Sequence, residues 1–179
     1  MKLLSLILLT LAVQFSIQAQ EYKFPEDWLG QYSGFMYIDT KDHTRDTVEV
    51  DFGLMEMVKD SIWSYKMVFH SKTHGMILKD YLIHVKKKGD NTNFILNEKN
   101  GVEIEMVLMN NCFYSMYKIN DVVYSSILKR QTDGILFEIY TVNTIDPNYS
   151  VIGIDKENQV TIESYFPNVV QSAMLAPRK

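Results

Sequence analysis

The sequence predicts an all-β protein, a single up-and-down antiparallel β-barrel of about ten strands behind an N-terminal signal peptide. Three observations carry this. Short apolar runs alternate with polar residues and are separated by Asn, Asp and Gly, with no long 3.6-residue period beyond the leader. All four prolines (Pro25, Pro147, Pro167 and Pro177) lie outside those runs, where paired strands tolerate them. The first run, Gly30 to Ile38, carries Gly30 and Gly34 near its start. A strand keeps glycine where its backbone bends or another backbone approaches closely. A two-sheet sandwich is the alternative architecture, and an unbroken meander favours the barrel.

The leader spans residues 1–19. Lys2 gives it a positive start, Leu3 to Val13 is almost wholly apolar, and Ile17-Gln18-Ala19 sets a small residue at the cleavage point. The apolar run is short of the roughly 20 residues a membrane span needs. Cleavage after Ala19 leaves 20–179 as one barrel domain, exported to the periplasm or the extracellular space. Losing Lys2 takes the net charge from −4 to −5, so no overall field draws the chain to nucleic acid. Cys112 is the only cysteine, which rules out an intramolecular disulfide and lipid attachment at a new N-terminal Cys. Its apolar neighbours favour a buried, inert thiol.

The elements follow in order. The first strand shows Tyr32, Gly34, Met36 and Ile38 on one face and Gln31, Ser33, Phe35 and Tyr37 on the other. After the polar loop Asp39 to Asp46, a second strand alternates through Val48, Val50 and Phe52. Past Gly53 the apolar phase flips to Met55 and Met57, which predicts a bulge near Gly53. Lys59-Asp60 turns the chain into a third strand with Trp63, Tyr65, Met67 and Phe69 on one face. A loop over Ser71 to Lys79 leads to a fourth strand, Asp80 to Lys88, in which Tyr81, Ile83 and Val85 share a face.

Phe94 to Leu96 and Val102 to Leu108 form the best-specified hairpin. Pairing Leu96 with Ile104, Phe94 with Met106 and Asn97 with Glu103 sorts apolar from polar and requires Gly101 in the left-handed conformation. Asn110-Asn111 and Asn120-Asp121 end the next runs, Cys112 to Ile119 and Val122 to Arg130. Asp133-Gly134 turns into Ile135 to Thr141. A looser stretch, Val142 to Asn158, precedes a strand over Val160 to Tyr165. Phe166-Pro167-Asn168 then turns the chain into Val169 to Leu175.

No catalytic set stands out. His70 and His74 have a zinc spacing only on a helix, and here they fall at a strand end and in a turn. Centring the third-to-fourth connection near Ile77 sets His70 across from His84, but two imidazoles without a carboxylate or thiolate make a poor site. Neither a metal nor a cofactor is expected. Glu103 and Glu105 alternate with inward apolar residues and so point to water. Lys86-Lys87-Lys88 fits a solubilising hairpin tip better than a contact with anionic lipid or nucleic acid. Ser33 lies outside any Gly-x-Ser-x-Gly elbow.

The informative residues are the large inward ones. Tyr32, Met36, Trp63, Tyr65, Met67, Phe69, Phe94, Met106 and Phe137 are the candidate ligand-binding set. They either fill a dry core or line a pocket for an apolar molecule. About ten strands enclose more space than eight, which favours the pocket.

Gly30-Gln31-Tyr32 resembles the Gly-x-Trp of the first strand of lipocalins, with Tyr in place of Trp. The wider group, the calycins, includes the fatty-acid-binding proteins. The stretch from Trp63-Ser64-Tyr65 through Asp80-Tyr81 to Asn97-Glu98-Lys99-Asn100-Gly101-Val102 is similar to exported bacterial proteins with lipocalin-like folds. The resemblance implies the barrel and carries no ligand with it. The last strand offers Gln171, Ala173 and Leu175 where fatty-acid-binding proteins place an Arg-x-Tyr pair, and no His follows His84 to serve as a haem ligand.

Two functions fit. One is an exported, non-enzymatic binding protein that holds a small apolar or amphipathic molecule inside the barrel. The other is an interaction or structural module with a packed barrel whose loops contact another macromolecule. The leader yields the first test: N-terminal sequencing of protein recovered outside the cytoplasm should start at or within a few residues of Gln20. A full-length product from the native host overturns the export expectation.

Overall fold

The computed structural model describes residues 22–153 and 159–178, so the predicted leader lies outside the described residues. It forms twelve strands: β1 (Gly30–Thr40), β2 (Arg45–Val58), β3 (Ile62–Ser71), β4 (Gly75–Val85), β5 (Asn93–Asn97), β6 (Glu103–Met109), β7 (Cys112–Ile119), β8 (Val122–Gln131), β9 (Gly134–Asn143), β10 (Asn148–Ile152), β11 (Val160–Ser164) and β12 (Pro167–Pro177). Ten of them close into an antiparallel barrel in the order β1-β12-β9-β8-β7-β6-β5-β4-β3-β2. Every barrel neighbour is adjacent in the chain except β9 and β12, between which β10 and β11 pair as a separate hairpin, and β12 and β1, which close the ring. The all-β fold and the ten-stranded count are as the alternation predicts.

The turns show why the breaks fall where they do. Asp60, Asn110, Asn111 and Asn120 all take positive φ, the conformation that tight antiparallel turns demand. The β5–β6 hairpin has the register argued from its side chains: Leu96 opposite Ile104, Phe94 opposite Met106 and Asn97 opposite Glu103. Gly101 sits at φ 96°.

Three expectations are corrected. The ladder runs through Gly53 without a bulge, pairing it with Gln31 on one side and Lys66 on the other. Leu54 continues the inward set of Val50 and Phe52. Met55 and Met57 face outward, 46% and 60% exposed. The Gln31 amide lies over Gly53, where a Cβ would stand 2.7 Å from Gln31 Nε2. The register shift comes later, between Glu56 and Val58.

The second correction concerns the loop Ser71 to Lys79, which shrinks to a turn before Gly75 as the β3–β4 ladder extends to Phe69–Ile77 and His70–Met76. β4 therefore begins at Gly75 and ends at Val85, before the Lys86 run. His70 lies opposite Met76 and His84 opposite Ile62, so the two imidazoles are not neighbours. Third, Val160 to Tyr165 does not enter the barrel. Its strand, β11, pairs with β10 inside the stretch read as loose.

The interior is packed at one end only. Residues 22–29 fold under the barrel, and Phe24 enters it among Trp28, Trp63, Phe94 and Phe113, with centroid distances of 4.8 to 5.8 Å, all edge-to-face. Each such pair contributes about 0.5–1.5 kcal/mol beyond its buried area. Trp63, Phe94 and Phe113 are second residues of β3, β5 and β7, so the plug marks the end where odd-numbered strands begin. Tyr32 Oη donates to the Trp28 carbonyl at 2.8 Å, and Arg130 Nε donates to the Asp27 carbonyl at 2.6 Å. The plug is thus tied to both β1 and β8.

Closure rests on unusually close backbones. A Cβ on Gly34 would overlap the Met174 carbonyl oxygen of β12, and one on Gly134 would overlap the Leu175 carbonyl oxygen. Two consecutive β12 peptides are thus gripped from β1 and β9. Beyond the strand, the Arg178 amide donates to the Gln31 carbonyl at 2.8 Å, and its guanidinium pairs with Asp51 of β2. Gly34→Ala should therefore lower unfolding stability by about 1–3 kcal/mol, the cost of overpacking. Urea denaturation checks this, and an unchanged midpoint would mean that β12 can step away from β1 freely.

Candidate functional site

Opposite the plug the barrel is hollow. This end is ringed by the β1–β2, β3–β4, β5–β6 and β7–β8 turns and by the base of the β10–β11 hairpin. The cavity has a volume of about 390 Å³, within the range of small-molecule pockets. Its floor is Met106, Phe113 and Leu128, where it meets the plug. Met67, Phe69, Phe137 and Ile139 form its apolar sides.

All nine residues read from the sequence as inward belong to the core cluster or pack against it. They divide between the two ends. Tyr65, Met67, Phe69, Met106 and Phe137 line the cavity. Tyr32, Met36, Trp63 and Phe94 lie in the packed part, away from the cavity wall. The Trp63 indole N–H is buried in the plug without a hydrogen-bond partner among the described residues, as is that of Trp28, so it does not face the cavity.

The polar part of the wall comes mainly from residues outside that set. Tyr81, Tyr117 and Tyr124 join Tyr65. Tyr65 lies directly opposite Tyr81, and Tyr117 opposite Tyr124, so each pair is held side by side by strand pairing. The Tyr65 and Tyr81 rings stack 6.1 Å apart at 16°, and the Tyr117 and Tyr124 rings 5.1 Å apart at 6°. One step deeper, the Ser115 and Ser126 hydroxyls meet at 2.7 Å, again as direct cross-strand partners. The signal for Tyr117 and Tyr124 was present: each stands three residues from the Asn120-Asp121 turn, so a two-residue turn sets them opposite.

Formal charge enters the wall through Lys79 and Glu98. The Lys79 ammonium lies 6.0 Å from the Tyr81 ring centroid. Glu98 follows β5 and is half-buried. Burial is the main cause that pushes the Tyr65, Tyr81 and Tyr117 phenols above their ordinary value. The Glu98 carboxylate adds to this, through charge at Tyr117 and through charge and a hydrogen bond at Tyr81. These phenols are therefore neutral hydrogen-bonding groups at any physiological pH.

The other chemistry-bearing residues lie apart. Glu105 pairs with Lys86 on the outer surface, and Glu103 accepts from Asn97 Nδ2 at 3.1 Å. His70 Nε2 meets Asp51 Oδ2 at 3.0 Å, outside the barrel. Cys112 is buried, and that burial raises its thiol. Among the described residues no three His, Cys, Asp or Glu side chains converge on a point that would hold a metal.

The tyrosine wall makes the barrel sensitive to alkali. A phenol whose folded pKa is raised contributes stability that is fully present below the unfolded value of about 10 and is lost as pH rises through the folded value. Tyr65, Tyr81 and Tyr117 should therefore ionise only as the barrel opens. Phenolate absorbance and near-ultraviolet circular dichroism followed together above pH 10 should show those groups titrating within the unfolding transition. Ionisation of all tyrosines near pH 10 with native dichroism intact would contradict the buried placement.

No protein-family model matches this sequence, and no curated relative does. Among solved structures, the chain is similar in fold to the S-type phycobiliprotein lyase CPES from Guillardia theta, with a TM-score of 0.54 and 10% identity, over 84% of this chain and 88% of that one. The likeness is one of fold, a closed antiparallel β-barrel.

Proposed function

We propose that this protein is an exported, non-enzymatic carrier or receptor that binds a small apolar or amphipathic molecule in its barrel. The observation that carries the reading is the half-filled interior. The plug fills one end with buried aromatic rings in mutual contact, while the other end leaves about 390 Å³ between Met, Phe and Leu side chains below and tyrosines above. A fold built only as a rigid support gains stability from filling that space. Ligand entry would be driven by apolar area leaving water, at roughly 25 cal/mol per Å² before association costs. The lyase activity of the fold neighbour is not carried over.

A second reading, the interaction module, has its own observation. The β10–β11 hairpin projects from the open end with Val151, Ile152, Val160 and Ile162 all exposed. Such a patch suits contact with another macromolecule.

Titration with a neutral apolar fluorophore separates the two. Wild type should bind it saturably, and a folded Met67→Trp or Met106→Trp variant, in which an indole enters the cavity, should lose the binding. Absence of binding by wild type would leave the hairpin as the functional surface.

A further inference from the structure

Among the described residues, the two formal charges in the cavity wall, Lys79 and Glu98, form no ion pair with each other or with any other side chain. Glu98 lies in the β5–β6 turn and lines the cavity with Tyr81 and Tyr117, and the Asn100 amide donates to its carboxylate at 3.3 Å. The adjacent cation, Lys99, is turned to Asp80 at 2.9 Å. Among the described residues no Lys, Arg or His lies within ion-pair distance of the Glu98 carboxylate. A half-buried carboxylate of this kind gains from a cation that arrives with the ligand.

Lys79 shows where such a cation would rest. Its ammonium has no carboxylate partner among the described residues and lies instead toward the face of Tyr81. A ring face carries the negative lobe of the aromatic quadrupole and attracts ammonium groups, most strongly when several rings converge out of water. Four tyrosine rings line this part of the cavity, in two stacked pairs. Lys79 is tethered at the exposed rim on a flexible stem, so it can yield its place to a ligand and return to solvent. An anionic head would meet the Lys79 ammonium only at the exposed rim, where water screens it, and deeper in would face Glu98 and the negative ring faces.

Resting on the reading of the barrel as a binder, we propose that the ligand is a cationic amphipath, with an ammonium group, free or methylated, held against Tyr81, Tyr117 and Glu98 and an apolar body on Met67, Phe69 and Phe137.

The test displaces a bound neutral fluorophore with three twelve-carbon amphipaths kept below micelle formation: dodecyltrimethylammonium, dodecanol and dodecanoate. The ammonium should compete about tenfold better than the alcohol, with the carboxylate weakest. Glu98→Gln should remove most of that advantage while leaving dodecanol unchanged, and Lys79→Gln should increase the ammonium's affinity. If Glu98→Gln does not fold, the ranking on wild type decides. An ammonium no better than dodecanol overturns the inference. So does dodecanoate winning and then weakening in Lys79→Gln. Either result leaves the barrel a binder, because the fluorophore is still displaced. A wild-type protein that binds no fluorophore at all removes the binder reading and this inference with it.

Discussion

Everything in this molecule depends on β12 fitting between β1 and β9. A ten-stranded sheet that failed to close would present two long unpaired edges. Closure removes both and turns one face of every barrel strand into an interior. The approach is tight enough that two β12 carbonyls occupy the space of a side chain at Gly34 and at Gly134. Hydrogen bonding alone does not demand such closeness. It follows from curling the sheet into a small ring, where neighbouring strands must lean on each other at the seam. The Arg178–Asp51 pair and the Arg178–Gln31 backbone bond then fasten the end of the chain across β1 to β2.

A closed ring of this size encloses more volume than its own side chains fill, and the chain treats its two ends differently. At the plugged end it spends an extra segment, residues 22–29, to bring Phe24 and Trp28 inside. At the other end no segment among the described residues enters. The inward residues there include four tyrosines in two stacked pairs, and the serine pair Ser115 and Ser126, whose hydroxyls meet. Polar and apolar side chains therefore border the same space, which the plugged end does not have. Packing and open space are thus separated along the barrel axis, and stability at the plug does not compete with space at the mouth.

Much of this was legible because strand side chains repeat every two residues. The inward positions of Tyr32, Met36, Trp63 and Phe94 follow from alternation alone, and the Leu96–Ile104 register follows from sorting apolar from polar. Alternation misled at Met55 and Met57. Apolar residues there suggested a change of face, yet they sit on the outer surface, where hydrophobicity is tolerated singly. The open mouth was harder to read. Tyr81 meets Tyr65 only if the β3–β4 turn is short, and Gly75 was read as the middle of a loop when its φ of 70° starts the strand. How deep each inward residue lies is set by stagger between strands and by the plug. Neither has a local pattern in the sequence, so Trp63 and Met67 looked equivalent.

The β10–β11 hairpin leaves the barrel and returns to it at adjacent points. Val142 of β9 pairs directly with Pro167 of β12, and the Asn143 amide donates to the Asn168 side chain at 2.7 Å. Whatever lies between those residues is therefore topologically free. It can lengthen, shorten or change composition without shifting the register of any barrel strand. This makes the site a natural joint at which lineages can diversify a shared container, each attaching its own appendage to the same vessel.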